Sequence, residues 1–398
     1  MQLEPLTVLV GRNGSGKSSF VDAVKLVRDA LRVGLENAII ERHGFGSICR
    51  HTGAGKKNIF IGLTVESEGT SGVYELELGS VRDGFKIVRE KMYSRAQRPQ
   101  VTGRGKERTV VMKEVEERFE RLGRRWVVKP RENPISYAQR DGVGLNPTEL
   151  ALMALRFYVP SYEFVQQLTG NFYTIFPNTL RQPQKPMNDQ ILSDYGDNFG
   201  SVLQHLTGRA KTKREIIDVL KRVVEGVSDL RVSSAGGFLV GELQHDDFRN
   251  SEDGRRKIAP WFDLSQESDG TLRMLGLLTA LYQSEAHRQN PLLALEEPEI
   301  ALHPGALAIL ADELQAASKR RPILVTTQSP DLIARFPAQC LRVVEKIGGV
   351  TRIAPLEGEQ RQIINDQLFN AGDLLRVEGL RGARPTEESE EKEALAAR

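Results

Sequence analysis

The chain has 398 residues, with 55 lysines and arginines against 53 aspartates and glutamates and a hydrophobic fraction of 39%; this is room for two or three domain-sized units and excludes a globally basic nucleic-acid binder. No apolar run approaches the ~20 residues that span a bilayer, so no membrane partner is expected. Two cysteines, Cys49 and Cys340, exclude a disulfide framework, and MQLEPLTVLVG lacks the basic region and cleavage site of a signal peptide; a cytoplasmic protein is expected.

The first element is a β-prone run, Leu6 to Val10, leading into Gly11-Arg12-Asn13-Gly14-Ser15-Gly16-Lys17-Ser18-Ser19. This is G-x-x-x-x-G-K-S between a strand and a helix, the setting a phosphate-binding loop requires. Polyphosphate is held best by converging backbone N–H groups, and glycines permit the curled backbone that brings them together. Lys17 is placed to reach the β- and γ-phosphates and the Ser18 hydroxyl to ligate Mg²⁺, with the helix dipole behind them. ATP with Mg²⁺ is therefore the expected ligand.

The helix opened by Lys17 is expected to reach about Glu36, with Phe20, Val21, Val24, Val27 and Leu31 near one face. In the glycine-rich loop Glu41 to Lys57, His43, Cys49 and His51 are three ligands without a fourth, a poor zinc signature; the loop reads instead as one approaching the nucleotide. From Asn58 to about Tyr93, three alternating runs separated by glycine turns predict an antiparallel meander. Lys86 to Arg131 holds 15 Lys/Arg against 6 Glu. Two readings stand: a DNA or RNA backbone surface with Tyr93 and Trp126 available for stacking, or a solvated insertion partly neutralised by Glu114, Glu116, Glu117 and Glu120 on a helix-like stretch.

Residues 132–190 read as loops around a short strand, RFYVP. Helices at about 188–206 and 211–226 and strands at 229–243 and 258–264 follow. An α/β rhythm then returns: a helix at 269–287, a strand at 291–295, a helix at 304–319, a strand at 322–326, a helix at 330–335, and strands at 341–345 and 350–354. The last eighteen residues are polar and acidic, an expected disordered tail. The fold class expected is α/β, a phosphate-loop fold with a mixed central sheet, an antiparallel β subdomain and a helical insertion. Its divisions fall at 1–60, 61–160, 161–257, 258–380 and 381–398.

PLLALEEPEIALHP carries the other half of the chemistry. An apolar strand delivers Glu296 and Glu297 to its carboxyl end, where ligands of open α/β sheets bind. One carboxylate there can hold Mg²⁺ while its neighbour polarises the attacking water. Side by side the two repel, so a nearby cation or hydrogen-bonding group is required to keep both ionised.

In order, the phosphate loop, a β-rich insertion, LSQESDGTLRML, LLALEEPEIALHP and ILVTTQSPDLI resemble the ABC-type ATPase heads related to RecF and SMC proteins. Within them the chain is most similar to the AAA-family ATPases allied to the overcoming-lysogenisation-defect (OLD) proteins. The resemblance covers residues 1–60 and 258–345, and the middle by architecture. It implies that Ser268 and Gly270 form a signature motif completing the nucleotide site of an opposing subunit. It also implies that Glu296 is the Walker B carboxylate and metal ligand, that Glu297 is the catalytic base, and that His303 sits at the subunit interface. Gln328 stands where the family has a switch histidine; glutamine orients water but carries no proton at neutral pH, which predicts slow turnover. Ser268 and His303 also have simpler readings as helix caps. Gln139, or the loop around Arg50 and His51, stands for the family's Q-loop. The Toprim nuclease domain of full-length OLD proteins has no counterpart after Val344. The expectation is a dimeric ATP-driven switch acting on a separate effector, in phage defence by analogy. The alternative is a RecF-like DNA-binding ATPase. A transporter subunit fits less well, and no segment is long enough for an SMC coiled coil.

Overall fold

The computed structural model describes residues 1–49, 58–67, 69–82, 84–102, 109–123, 125–130, 146–155, 170–246, 259–283 and 292–384. Gln139, Arg50, His51 and the RFYVP stretch lie outside these. The chain forms two compact units, one of Met1–Ser19 with Asn171–Arg398, the other of Phe20–Gly170.

Strand β1 (Leu6–Val10) is buried along its whole length, as expected of a parallel strand covered on both faces. Burying Val8, Leu9 and Val10 contributes on the order of 1.5–3 kcal/mol each. After the phosphate loop, α1 (Lys17–Val33) stops short of the expected Glu36. Gly34 adopts φ 91°, outside helical space, and a second helix, α2 (Leu35–Ile40), starts beyond it.

In the unit Phe20–Gly170, α3 (Phe45–Ile48) precedes a five-stranded antiparallel meander. Its strands are β2 (Asn58–Ser67), β3 (Thr70–Val81), β4 (Gly84–Thr102), β5 (Thr109–Leu122) and β6 (Arg125–Pro130). Leu26, Val27, Ile61, Tyr74, Leu76, Leu78 and Phe119 share one core. The helix-like stretch around Glu114–Glu120 is instead strand β5, a correction with a readable cause. Its charges fall opposite complementary ones: Arg95 faces Glu116 and Lys91 faces Glu120, and Lys91 also faces Glu75 on β3. Arg95 and Arg89 close ion pairs at 2.8 Å (to Glu116) and 3.0 Å (to Glu120). Cross-strand pairs of this kind set register, and here they override helical spacing. They also neutralise much of the described basic stretch within its own sheet.

Beneath this sheet Glu90 and Arg121 are fully buried. Glu90 accepts from Ala151 N (2.7 Å), Leu152 N (3.0 Å) and the Tyr74 hydroxyl (3.1 Å). It thereby caps α4 (Ala151–Leu155). Arg121 donates to the carbonyls of Gly123 (2.6 Å), Asn146 (2.7 Å) and Glu149.

The other unit resumes with β7 (Asn171–Tyr173), α5 (Pro177–Arg181), α6 (Phe199–Thr207) and α7 (Ala210–Val223). The helix expected from 188 begins only at Phe199. Before it, the buried Gln184 side chain donates to Thr179 O and Gly196 O and accepts from Gly200 N, while Asn198 accepts from Ser193 N and donates to Ile191 O. Side chains that satisfy loop backbone in this way compete with helix. A small sheet follows, β8 (Val227–Ala235), β9 (Phe238–His245) and β10 (Trp261–Asp263). Then come α8 (Asp269–Tyr282), β11 (Leu293–Glu296), α9 (Pro304–Ser318), β12 (Ile323–Thr327), α10 (Pro330–Ile333), β13 (Leu341–Ile347), β14 (Val350–Pro355), α11 (Gly358–Asn365) and α12 (Ala371–Val377).

The central sheet has the order β14-β13-β1-β12-β11-β7. All neighbours are parallel except the β13–β14 hairpin, so the sheet is mixed. α8 is buried from Thr271 to Leu281 in a core shared with β1, β11 and β12. Of the tail, Arg381 and Ala383 make backbone hydrogen bonds to Glu357 and Pro355, so 381–384 is ordered; 385–398 lies outside the described residues. Among the described residues no helix is long and apolar enough to cross a membrane.

Candidate nucleotide site

β1, β12 and β11 are adjacent and parallel, so their carboxyl ends open on one edge of the sheet. At the first of these ends, Gly14 and Gly16 adopt φ of 73° and 107°, which an L side chain resists. Ser15 and Lys17 are buried, whereas Arg12, Asn13, Ser18 and Ser19 are exposed. Lys17 Nζ donates to the carbonyls of Gly11 (2.7 Å) and Arg12 (3.2 Å), so the side chain lies back along its own loop. Burial lowers its pKa, and the carboxylates of Glu297 and Glu299 act in the opposite direction.

At the second end, Glu296 closes β11 and Glu297 follows with φ 43°, a conformation uncommon away from glycine. Glu297 N holds the turn by donating to Thr326 O (2.9 Å) and Thr326 Oγ1 (3.3 Å). Arg273, 3% exposed on α8, donates Nη2 to Glu297 O (2.7 Å) and Glu296 O (3.4 Å). Burial lowers the Arg273 pKa, against Glu299 and Glu297. The required cation is thus supplied from two directions, by Arg273 and Lys17.

At the third end, Gln328 Nε2 donates to Glu297 Oε1 at 2.5 Å. Glu299 ties the same loop down, accepting from Thr327 Oγ1 (2.6 Å) and Gln328 N (3.2 Å). Its other oxygen, Oε2, is buried without a hydrogen-bond partner. Arg273 and Glu299 are site residues that the sequence motifs do not name. The one available signal was their position, an arginine on the inward turn of SDGTLR and a third acid in EEPE.

Ser268 caps α8, its Oγ accepting from Thr271 N (3.1 Å), and His303 caps α9, its Nδ1 accepting from Gly305 N (3.1 Å). Both residues are exposed. A Cβ on Gly270 would lie 2.9 Å from Ala301 O, so the start of α8 and the loop before α9 are packed side by side. Among the described residues no hydrogen bond joins Ser268, Gly270 or His303 to the phosphate loop or to Glu297.

The donor set fits a nucleotide with a magnesium ion. The loop offers backbone N–H groups and one buried ammonium for anionic oxygens. Ser18 and Glu296 carry oxygen donors of the hard kind Mg²⁺ prefers, and would hold the ion together with substrate phosphates and water. Among the described residues no three His, Cys, Asp or Glu side chains form a metal-holding group by themselves.

A family model described as "AAA domain, putative AbiEii toxin, Type IV TA system" matches residues 6–101 and 105–334. No curated protein matches the chain. Among solved structures, an SMC head bound to the C-terminal winged-helix domain of ScpA is 13% identical, covering 91% of this chain and 93% of that one with a TM-score of 0.48. An SMC head domain with an extended coiled coil, bound to the C-terminal domain of ScpA, from Pyrococcus furiosus is 11% identical over 92% and 94%, TM-score 0.47. The SMC head domain from Thermotoga maritima is 14% identical over 90% and 92%, TM-score 0.40. With a family match running through both the phosphate loop and the Glu296–Gln328 region, the chain belongs to the AAA_21 family of AAA domains.

Proposed function

We propose that this chain is an Mg²⁺-dependent ATPase of ABC type that works as a homodimeric switch on a separate effector protein. The observation that carries the reading is the convergence of Lys17, Glu297 and Gln328 at the carboxyl ends of three neighbouring parallel strands, with Gln328 bonded to Glu297 and Glu297 acting on Lys17. Lys17 turns its ammonium from the carbonyls of Gly11 and Arg12 to the β- and γ-phosphates. Ser18 and Glu296 would hold Mg²⁺, whose chemistry there would be the neutralisation of phosphate charge. Glu297 accepts the proton of the attacking water, and Gln328 fixes the direction of its carboxylate. The exposed start of α8, with Ser268 and Gly270 beside His303, presents N–H groups to an anion and completes the site of the partner subunit. Hydrolysis removes the γ-phosphate contacts and releases the pair.

The kind of effector is read from two supports. One is the family description, which names a putative AbiEii toxin of a type IV toxin–antitoxin system; the other is the motif order, which resembles that of OLD-type ATPases. The first suggests a toxin–antitoxin setting, and the second, by analogy, a role in phage defence. Among the described residues, Arg89, Lys91 and Arg95 pair across strands with Glu75, Glu116 and Glu120, so these three cations do not favour the DNA-clamp reading.

Light scattering tests the switch. Glu297→Gln is expected to double its mass on adding Mg²⁺-ATP, and Ser268→Arg in the same background to remain single; a mass that ignores ATP would sink the dimer. Gln328→Ala is expected to lower kcat by about 10- to 100-fold, the cost of a misdirected reacting group, with the ATP Kd unchanged. Phosphate release and equilibrium binding together read that split.

A further inference from the structure

The phosphate loop is gripped from one side by the β13–β14 hairpin. Thr351, second residue of β14, donates its hydroxyl to Ser15 O at 2.9 Å, across 336 positions of sequence. A Cβ on Gly16 would stand 2.2 Å from Thr351 Oγ1 and 2.7 Å from its Cγ2, and one on Gly11 would stand 2.3 Å from Val344 O on β13. Gly14, by contrast, faces open space. Two of the three loop glycines are therefore small because the hairpin is pressed against them.

We infer that Thr351 is a positioning residue of the nucleotide site, holding the Ser15–Gly16 peptide so that the Gly16 N–H is offered to phosphate. The inference rests on the ATP-site reading and deepens it. A peptide unit is planar and trans, so its C=O and N–H point in opposite directions. Fixing Ser15 O on Thr351 turns the Gly16 N–H away from β14. Without that anchor the plane is free to rotate, because a glycine at 16 accepts either sign of φ. The rotated plane would present a carbonyl oxygen, which repels phosphate, in place of a donor.

The holder is stiff. β13 and β14 are paired from Arg342↔Pro355 to Ile347↔Val350, and β13 is itself paired in parallel with β1, the strand that delivers the loop. Behind β14, Arg352 Nη2 donates to Ala383 O at 2.8 Å, so the segment around Ala383 backs the hairpin. Loop and brace are thus fixed to one sheet.

The test uses the full chain and titration calorimetry with Mg²⁺-ADP and Mg²⁺-ATP, alongside the thermal midpoint of the nucleotide-free protein. Thr351→Val keeps the shape and removes the hydroxyl; it is expected to weaken both affinities about tenfold, equivalent to 1.4 kcal/mol, without lowering the midpoint. Thr351→Ser restores the donor and is expected to bind as the natural protein does. An unchanged Kd in Thr351→Val, or a Thr351→Ser as weak as Thr351→Val, overturns the inference. Should Thr351→Val fold poorly, Thr351→Ala against Thr351→Ser asks the same question. Lys17→Ala separates the two levels: if natural protein and Lys17→Ala alike bind no nucleotide, the ATP-site reading falls and Thr351 with it. If the natural protein binds and Lys17→Ala does not, only the Thr351 series decides.

Discussion

Lys17→Met is expected to unfold within about 1 kcal/mol of the natural protein when nucleotide is absent, because relieving an ammonium that burial disfavours offsets the loss of its two carbonyl hydrogen bonds, each worth about 1 kcal/mol. It is also expected to lose the stabilisation that Mg²⁺-ATP confers, about 2.7 kcal/mol at one hundred times Kd. The two halves follow from one geometry. Among the described residues the buried ammonium has only the Gly11 and Arg12 carbonyls as hydrogen-bond partners, and burial depresses its pKa below the ordinary 10.5. A lysine whose folded-state pKa lies below its unfolded one is held charged at a cost at neutral pH. That cost fades as pH rises through the lowered value. Methionine removes the cost, and with it the one cation of the phosphate loop that faces Glu297 and Glu299. Scanning calorimetry with and without Mg²⁺-ATP reads both halves. A methionine variant still stabilised by nucleotide would show that Lys17 does not bind phosphate.

Arg121→Met is expected to destabilise its unit by about 3–5 kcal/mol, the usual result of removing one member of a buried ion pair. The Gly123, Asn146 and Glu149 carbonyls lose their donor, and Glu90 loses its balancing charge at 4.0 Å. Burial raises the Glu90 pKa, against the N–H groups of Leu152 and Ala151, Arg121 and the Tyr74 hydroxyl. The sign follows: a carboxyl whose folded pKa is raised favours folding fully below its unfolded value near 4.5, and that contribution is lost as pH rises through the folded pKa. Removing Arg121 raises the folded pKa further and widens this window. Two-unit chains need not unfold in one step, so amide hydrogen exchange at Ala151 and Leu152 is the direct readout. Protection unchanged in Arg121→Met would show that Glu90 holds α4 alone.

What the sequence made legible was local. Leu6–Val10 followed by Gly11–Ser18 reads correctly as strand and turn because all the determinants are neighbours, and Leu293–Glu296 and Ile323–Thr327 announce themselves as buried parallel strands by continuous apolar runs. The errors came where the deciding partner lay elsewhere. Val115, Phe119 and Leu122 fit a helical stripe as well as a strand, and only the charges on β4 choose between them. The start of α6 depends on what the Gln184 and Asn198 side chains bind. Arg273, Glu299 and Thr351 could not be singled out, since each acts on backbone or side chains that another part of the chain brings to it. Ser268 and His303 are visible as caps from sequence alone; a cap and an interface residue look the same in a single subunit.

The registry of β1 sets a timetable for the ribosome. Its Leu6 and Val8 lie beside Ile323 and Leu341, so the strand is made roughly 300 residues before its neighbours, a wait of about 15–60 s at 5–20 residues per second. Among the described residues the strands β2 to β6 pair with one another in consecutive hairpins and so can close during that interval, local contacts forming ahead of distant ones. Phe20–Gly170 is synthesised between Met1–Ser19 and Asn171–Arg398, the two parts of the other unit. Throughout that time LTVLV waits without β12 and β13, the neighbours on its two edges, and an unpaired apolar strand edge is a place where chaperone cover counts.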